Sequence, residues 1–219
     1  MYLGLCHHRA AETNPYPTME ATYDIDGFPE VDWDYWMRVN PDIVGWISVP
    51  RTSVSYPIVQ APKQDPSYYL THDIYGNWNF AGCPYLDASC CDDGLLASWN
   101  AIVFGHNLGF GDTSLFAPLS QYTQPDFAEH HRVVLVQTPQ QKCVYHVEGA
   151  ACVFGLQATK RTEFTDSCDF GAWYTQRLAE CAYVAPNAPG NAQRILTLCT
   201  CSYTRWDNER TLVYAAPSE

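Results

Sequence analysis

Three residues, far apart in the chain, could together do covalent chemistry. Cys201 closes the run Arg194-Ile195-Leu196-Thr197-Leu198-Cys199-Thr200-Cys201, and Arg210 opens the run Arg210-Thr211-Leu212-Val213-Tyr214. Both runs are aliphatic, β-branched and aromatic, and the polar segment between them holds Asp207-Asn208, so they read as two strands joined by a loop. If the strands pair antiparallel, a thiol and a guanidinium meet at one rim of a sheet. A cysteine nucleophile works as its thiolate and needs a donor for the charge that develops on an attacked carbonyl oxygen; a neighbouring arginine serves both needs. The missing partner is a base, and His106 is the candidate.

Seven histidines compete for that role. His7 and His8 lie in a polar tail, His130 and His131 in a polar turn, and His72 and His146 in segments without glycine-rich rims, so these six read as surface or satisfied residues. His106 directly follows the strand Ala101 to Phe104 and sits between Gly105 and Asn107, at a strand-to-loop exit where functional groups concentrate. Its expected role is general acid to a leaving amine and then general base to an incoming one. Arg205, beside Trp206, rivals Arg210 but reads as a solvated loop charge. The chain order is histidine, cysteine, arginine, whereas a papain-like protease places cysteine before histidine with an orienting Asn or Asp after it.

The elements that must position these residues are mostly strands. Ile43 to Val49, Val54 to Gln60, Gly82 to Leu86 and Ala101 to Phe104 read as strands, with turns at Pro50-Arg51-Thr52-Ser53 and Cys90-Cys91-Asp92-Asp93-Gly94. Phe127 to Gln137 and Lys142 to Leu156 read as a hairpin across Thr138-Pro139-Gln140-Gln141. Val31, Trp33, Trp36 and Val39 mark a helix ended by Asn40-Pro41, expected to pack outside the sheet. Phe170, Trp173, Tyr174, Leu178 and Cys181 mark a second helix, with Asp166 or Ser167 as N-cap. Residues 61–75 read as a loop or short helical turn ending in Leu70. The sum is a mainly β domain with accessory helices and about eight strands, a barrel or a sandwich. Residues 1–27, with Asn14-Pro15-Tyr16-Pro17, read as a tail or linker, and residues 28–219 as one catalytic domain.

Composition narrows the function. With 47% hydrophobic residues the 219-residue chain can build a core. A net charge of −12 with only 12 Lys and Arg argues against nucleic acid as a partner. The ten cysteines show neither C-x-x-C spacing nor Cys/His repeats at zinc-ligand spacing, so no metal is expected. Cys83, Cys90, Cys91, Cys143, Cys152, Cys168 and Cys181 are candidates for disulfides or for small buried apolar residues. Cys199 and Cys201, two apart on a strand, share a face at roughly 6.6–6.8 Å between Cα atoms with parallel Cβ vectors. A disulfide would need distortion there, so two free thiols are expected. The first 20 residues lack both the roughly 18-residue apolar run of a membrane span and the pattern of a signal peptide.

Thr197-Leu198-Cys199-Thr200-Cys201 resembles the TLxTC signature of sortases, the cysteine transpeptidases that attach surface proteins to the envelope of Gram-positive bacteria. Val103-Phe104-Gly105-His106-Asn107, Ser114-Leu115-Phe116 and Leu119-Ser120-Gln121-Tyr122 resemble the surroundings of the sortase histidine. Asn40-Pro41-Asp42-Ile43-Val44-Gly45-Trp46-Ile47, Tyr56-Pro57-Ile58-Val59-Gln60 and Tyr68-Tyr69-Leu70-Thr71-His72-Asp73 resemble the opening of class B sortases. The resemblance spans about Val31 to Ala216. It implies an eight-stranded β-barrel, with a helix before the cysteine strand forming one wall of a substrate groove. It implies His106, Cys201 and Arg210 as catalytic residues, and Leu70, Leu198, Cys199 and Thr200 as groove residues, Thr200 also supporting the loop. Cys199 departs from the Ser or other small residue usual in the family.

The implied substrates are a sorting signal of the Asn-Pro-x-Thr type and an amine from a cell-wall precursor or a pilin lysine. No metal or organic cofactor is implied. The expected setting is the outer face of the bacterial membrane, with the protein acting as a monomer; a family anchor is missing from this chain, for which truncation is the favoured explanation. A barrel that binds envelope components without catalysis is the rival reading, and retention of all three catalytic residue types speaks against it.

Overall fold

The computed structural model describes residues 22–109, 111–155, 160–188, 190–203 and 208–218. Nine strands form one sheet: β1 (Ile43–Ser48), β2 (Ser55–Gln60), β3 (Tyr85–Leu86), β4 (Asn100–Phe104), β5 (Val133–Gln137), β6 (Lys142–Phe154), β7 (Tyr183–Val184), β8 (Ile195–Cys201) and β9 (Glu209–Pro217). Their order is β5-β1-β2-β3-β4-β8-β9-β6-β7, and an extra β5–β6 pairing closes the first eight into a ring. The expected eight-stranded barrel is therefore present, with β7 added outside it on β6. Closure leaves those eight strands without free edges.

Alternation along the strands separates two faces. Ile47, Tyr56, Ile58, Val103, Val134, Val136, Leu196, Leu198, Val213 and Ala215 share the core inside the ring. On the outer side, helix α1 (Trp33–Val39) lays Trp36 over Ile43, Val59 and Tyr85, as expected of a helix packed outside the sheet. Asp32 caps it by accepting from the Tyr35 N–H at 2.9 Å.

Two expected strands are not strands along their full length. Residues 127–132 are not part of β5, because helix α2 (Pro125–His130) occupies that stretch with Pro125 in its first turn. Gly82 to Pro84 stay outside β3, since Gly82 has φ +54 and Cβ at that position would lie 2.3 Å from the Tyr69 carbonyl oxygen. The hairpin across Thr138–Gln141 forms as expected. The end of the expected strand at Leu156 and the loop residue Arg205 lie outside the described residues.

The segment between β6 and β8 carries helix α3 (Ser167–Ala179), N-capped by Asp166 through the Cys168 and Asp169 N–H groups. Phe170, Tyr174 and Leu178 cover Ala151, Ile195 and Tyr214 on the outer face of the barrel. Tyr174 donates its hydroxyl to the buried Glu148 carboxylate at 2.7 Å, tying the helix to β6. At the other end of this segment, Asn100 on β4 donates to the Arg161 carbonyl at 2.8 Å and Lys160 pairs with Asp87 at 2.7 Å. The insertion is thus fastened at both ends, to β6 through Tyr174 and to β4 and Asp87 through Arg161 and Lys160.

Candidate active site

Parallel pairing of β4 with β8 decides which side chains meet. Asn100 aligns with Ile195 and Phe104 with Cys199, and His106 follows two residues past Phe104 as Cys201 follows two past Cys199. The Gly105 N–H continues the ladder onto the Cys199 carbonyl at 3.1 Å. On the other flank, antiparallel β8 and β9 align Cys201 directly with Arg210. Cys201 and Arg210 therefore face each other across β8 and β9, whose strands stand roughly 4.8 Å apart as in any sheet, and His106 leaves the end of β4 on the other flank of β8. The odd positions of β8, with Cys199 and Cys201, share the outer face with the even positions of β4 and β9. That face holds a cleft lined by Phe104, Cys199, Leu212 and Tyr214, with Lys160 and Trp173 of the insertion as its wall.

Each of the three residues is held by a different device. The His106 Nε2 lies 2.8 Å from the Leu70 carbonyl oxygen. A carbonyl only accepts, so in the neutral ring Nε2 carries the hydrogen and Nδ1 is the free acceptor. Burial lowers the imidazole pKa most; the Leu70 carbonyl pulls it up, and the Arg210 charge lowers it further. The net effect favours the neutral, proton-accepting ring.

Asn107 ties the loop after β4 to β8. Its Nδ2 donates to the Cys201 carbonyl at 2.8 Å, and its Oδ1 accepts from the Gly109 N–H at 3.0 Å. The side chain is buried, so this pair of bonds fixes the backbone on both sides of the site. The sequence marks Asn107 only as a neighbour of His106; its target is a main-chain carbonyl 94 positions away, which no local pattern reveals.

Arg210 donates through Nη1 to the Glu209 carbonyl at 3.0 Å. Among the described residues it is in no ion pair, so the rest of its fork is available to a substrate oxygen. The main-chain N–H of Ser202, beside Cys201, is already bonded to the Glu209 carbonyl at 3.2 Å.

The groove residues expected from the resemblance divide. Cys199 lines the cleft, and burial pushes its thiol up to about 12, opposed by Arg210 and reinforced by Cys201. Cys199 and Cys201 both carry free thiols. Leu198 and Thr200 do not line the cleft: both side chains point into the barrel, Leu198 fully buried in the core and Thr200 buried with its Oγ1 unpartnered. The two-residue period that puts Cys199 and Cys201 on one face puts these two on the other. Leu70 has a half-exposed side chain, while its carbonyl orients His106. Among the described residues no cluster of His, Cys, Asp or Glu could hold a metal ion, and no helix is long and apolar enough to cross a membrane.

The chain is similar to known proteins over most of its length. A family model described as the sortase domain matches residues 47–218. Sortase B of Listeria monocytogenes is 28% identical over 201 residues, covering 89% of this chain and 76% of that protein. Sortase B of Staphylococcus aureus is 25% identical over 179 residues, covering 82% and 71%. Among solved structures, Clostridium perfringens sortase B superposes with a TM-score of 0.75 at 24% identity, over 85% of this chain and 99% of that one. A Staphylococcus aureus sortase B–substrate complex superposes with a TM-score of 0.72 at 25% identity, over 85% and 84%.

Proposed function

The chain belongs to the sortase family, with class B relatives and the cysteine transpeptidase activity of that family, and from that premise we propose which bond it cuts, with which residues, and for which acceptor. The observation that carries the reading is that Cys201 on β8 stands directly opposite Arg210 on β9 while His106 leaves the end of β4 on the other side of β8. Cys201 is the nucleophile, His106 the proton carrier and Arg210 the oxyanion donor; residues 28–219 form the catalytic domain, acting as a monomer on the outer face of the membrane after a tail of residues 1–27.

The substrate is a sorting signal of the Asn-Pro-x-Thr type lying in the cleft along β4 and β8. Neutral His106 takes the proton of the Cys201 thiol, the thiolate attacks the threonine carbonyl carbon, and the oxygen that becomes anionic accepts hydrogen bonds from the Arg210 fork. As the intermediate collapses, the C–N bond breaks and imidazolium His106 gives its proton to the departing amine, leaving a thioester on Cys201. A second amine, from a cell-wall precursor peptide or a pilin lysine, then attacks the thioester. Neutral His106 takes the proton of that amine, and the C–S bond breaks to return the thiolate. An amine acceptor is in keeping with a solved sortase B complexed with triglycine, and a peptide donor with the sortase B–substrate complex.

The test is incubation with fluorogenic peptides bearing Asn-Pro-x-Thr or Leu-Pro-x-Thr, with and without triglycine, against Cys201→Ala. Cleavage after threonine of the Asn-Pro-x-Thr peptide, an acyl-amine product and loss of both in the variant are expected. Turnover undiminished in Cys201→Ala would overturn the assignment, and preference for Leu-Pro-x-Thr would overturn the signal.

A further inference from the structure

The end of the barrel away from Cys201 holds a second polar concavity. β8 runs towards Cys201 from Ile195, and β9 returns from its start at Glu209–Arg210 to Pro217, so Arg194 and Pro217 sit roughly 23 Å of strand from the catalytic end. A cavity of about 640 Å³ opens there, and Arg132, His146, Glu148, Asn187, Asn191 and Arg194 are among its walls. Arg132 immediately precedes β5, His146 and Glu148 lie on β6, and Arg194 immediately precedes β8 at the end of the connection that carries the two asparagines. Backbone bonds fix these positions: the Arg132 carbonyl accepts from the Val147 N–H at 2.8 Å, and His146 aligns with Ala216 near the end of β9.

The charges in this cavity are unbalanced. Both arginines are partly buried, and the Nε of each is sealed from solvent without a hydrogen-bond partner. Among the described residues neither is in an ion pair. Glu148, the carboxylate of the wall, is buried and accepts from the Tyr174 hydroxyl of α3 at 2.7 Å, leaving both guanidinium groups without a counter-charge. A solvated surface arginine hydrates its whole fork, whereas these two have lost part of their water and gained nothing for it. In a chain with net charge −12 and only 12 Lys and Arg, two unpaired arginines on one cavity set a local field opposite in sign to that of the molecule as a whole.

We propose that this cavity binds the phosphate monoester group of a small ligand or lipid headgroup, with Arg132 and Arg194 holding the phosphate oxygens and Asn187 and Asn191 the polar remainder. A planar guanidinium fork matches phosphate oxygens in pairs, and a phosphate monoester carries about −1.5 to −2 at pH 7, the charge that two arginines neutralise. The cavity is larger than a bare phosphate needs and falls within the roughly 300–1,000 Å³ of small-molecule sites, which leaves room for the group that bears the phosphate. The site is remote from the cysteine and depends on neither the nucleophile nor the peptide signal.

The test is thermal unfolding of the full chain with glycerol 3-phosphate at constant ionic strength, in wild type, Arg132→Gln, Arg194→Gln, Asn191→Glu and Arg38→Gln. A site with a Kd of about 1 mM should raise the wild-type Tm by roughly 4 °C at about 20 mM ligand, and the rise should saturate. The rise should persist in Arg38→Gln, whose arginine is exposed on α1, and vanish in the other three. Asn191→Glu keeps both arginines and adds a carboxylate at an exposed wall position, so the result does not hang on the folding of an arginine variant. Co-sedimentation with phosphatidylcholine vesicles containing phosphatidate, in wild type and Arg194→Gln, identifies the source: sedimentation lost in the variant assigns a lipid headgroup, and a Tm rise without sedimentation assigns a free phosphate ester. No saturable rise and no Arg194-dependent sedimentation in wild type would overturn the proposal. So would an equal rise in wild type, Arg132→Gln, Arg194→Gln and Asn191→Glu, which reports binding elsewhere on the surface. Peptide cleavage plays no part in these readouts, so a failed signal assignment leaves them interpretable.

Discussion

Replacing Asn107 with alanine should uncouple the loop that carries His106 from β8. The side chain is buried and makes two hydrogen bonds, at 2.8 Å to the Cys201 carbonyl and at 3.0 Å from the Gly109 N–H. Each bond contributes about 1 kcal/mol net, and a main-chain group stranded in a buried site adds a desolvation penalty, so Asn107→Ala should lose about 2–4 kcal/mol. For a domain of this size that is a fall in Tm of roughly 5–15 °C. Catalysis should suffer further, since a misplacement of about 1 Å between reacting groups costs on the order of a hundredfold. Asn107→Asp separates the two bonds: it keeps an acceptor for Gly109 but faces the Cys201 carbonyl with a second acceptor. Its kcat should therefore fall with that of Asn107→Ala. Thermal melts and steady-state peptide cleavage on both variants give the answer. A Tm within about 1 °C of wild type and a kcat within about twofold in Asn107→Ala would refute the coupling.

Three further perturbations probe neighbouring parts of the site. Gly82→Ala would place Cβ at 2.3 Å from the Tyr69 carbonyl oxygen and 2.8 Å from the Leu70 carbonyl oxygen, at φ +54, so it must displace the carbonyl that orients His106; kcat should fall at least about tenfold, and unchanged kinetics would refute that role. The lowered His106 pKa means that, as pH falls through about 6.5, the unfolded chain takes up a proton the folded site resists, so stability is fullest above that pH and declines below it. His106→Gln should flatten that part of the acid decline in denaturant melts; an identical pH dependence would contradict it. Because burial holds the Cys199 thiol up to about 12, Cys199 should resist iodoacetamide at pH 7 while Cys201 reacts, and Cys199→Ser should keep kcat within about threefold; preferential labelling of Cys199 would reverse the assignment.

Much of the fold, and the placing of Arg210 opposite Cys201, was legible because each rests on local chemistry. The aliphatic runs ending at Cys201 and beginning at Arg210 announced two strands, and their polar connection announced the antiparallel turn that aligns the two residues. His106 was found through its glycine-flanked exit from β4, although its place beside β8 depends on a parallel pairing that sequence could not register. The α2 helix was missed since six residues are too few for a helical period, and only Pro125 hinted at its start. Leu198 and Thr200 were drawn into the groove by membership of a motif, against the alternation that sends them inward. The Leu70 carbonyl and the Cys201 carbonyl act through the backbone, and backbone partners leave no trace in side-chain identity.

The most direct measurement of covalent transfer through Cys201 is to mix the protein with an Asn-Pro-x-Thr peptide in the absence of amine, quench in acid and map the adduct by peptide mass spectrometry. An acyl group ending in threonine, carried on the fragment containing Cys201 and discharged when triglycine is added before the quench, is the predicted result. Cleavage of the peptide with no adduct on that fragment, or with the acyl group on another cysteine, would contradict it.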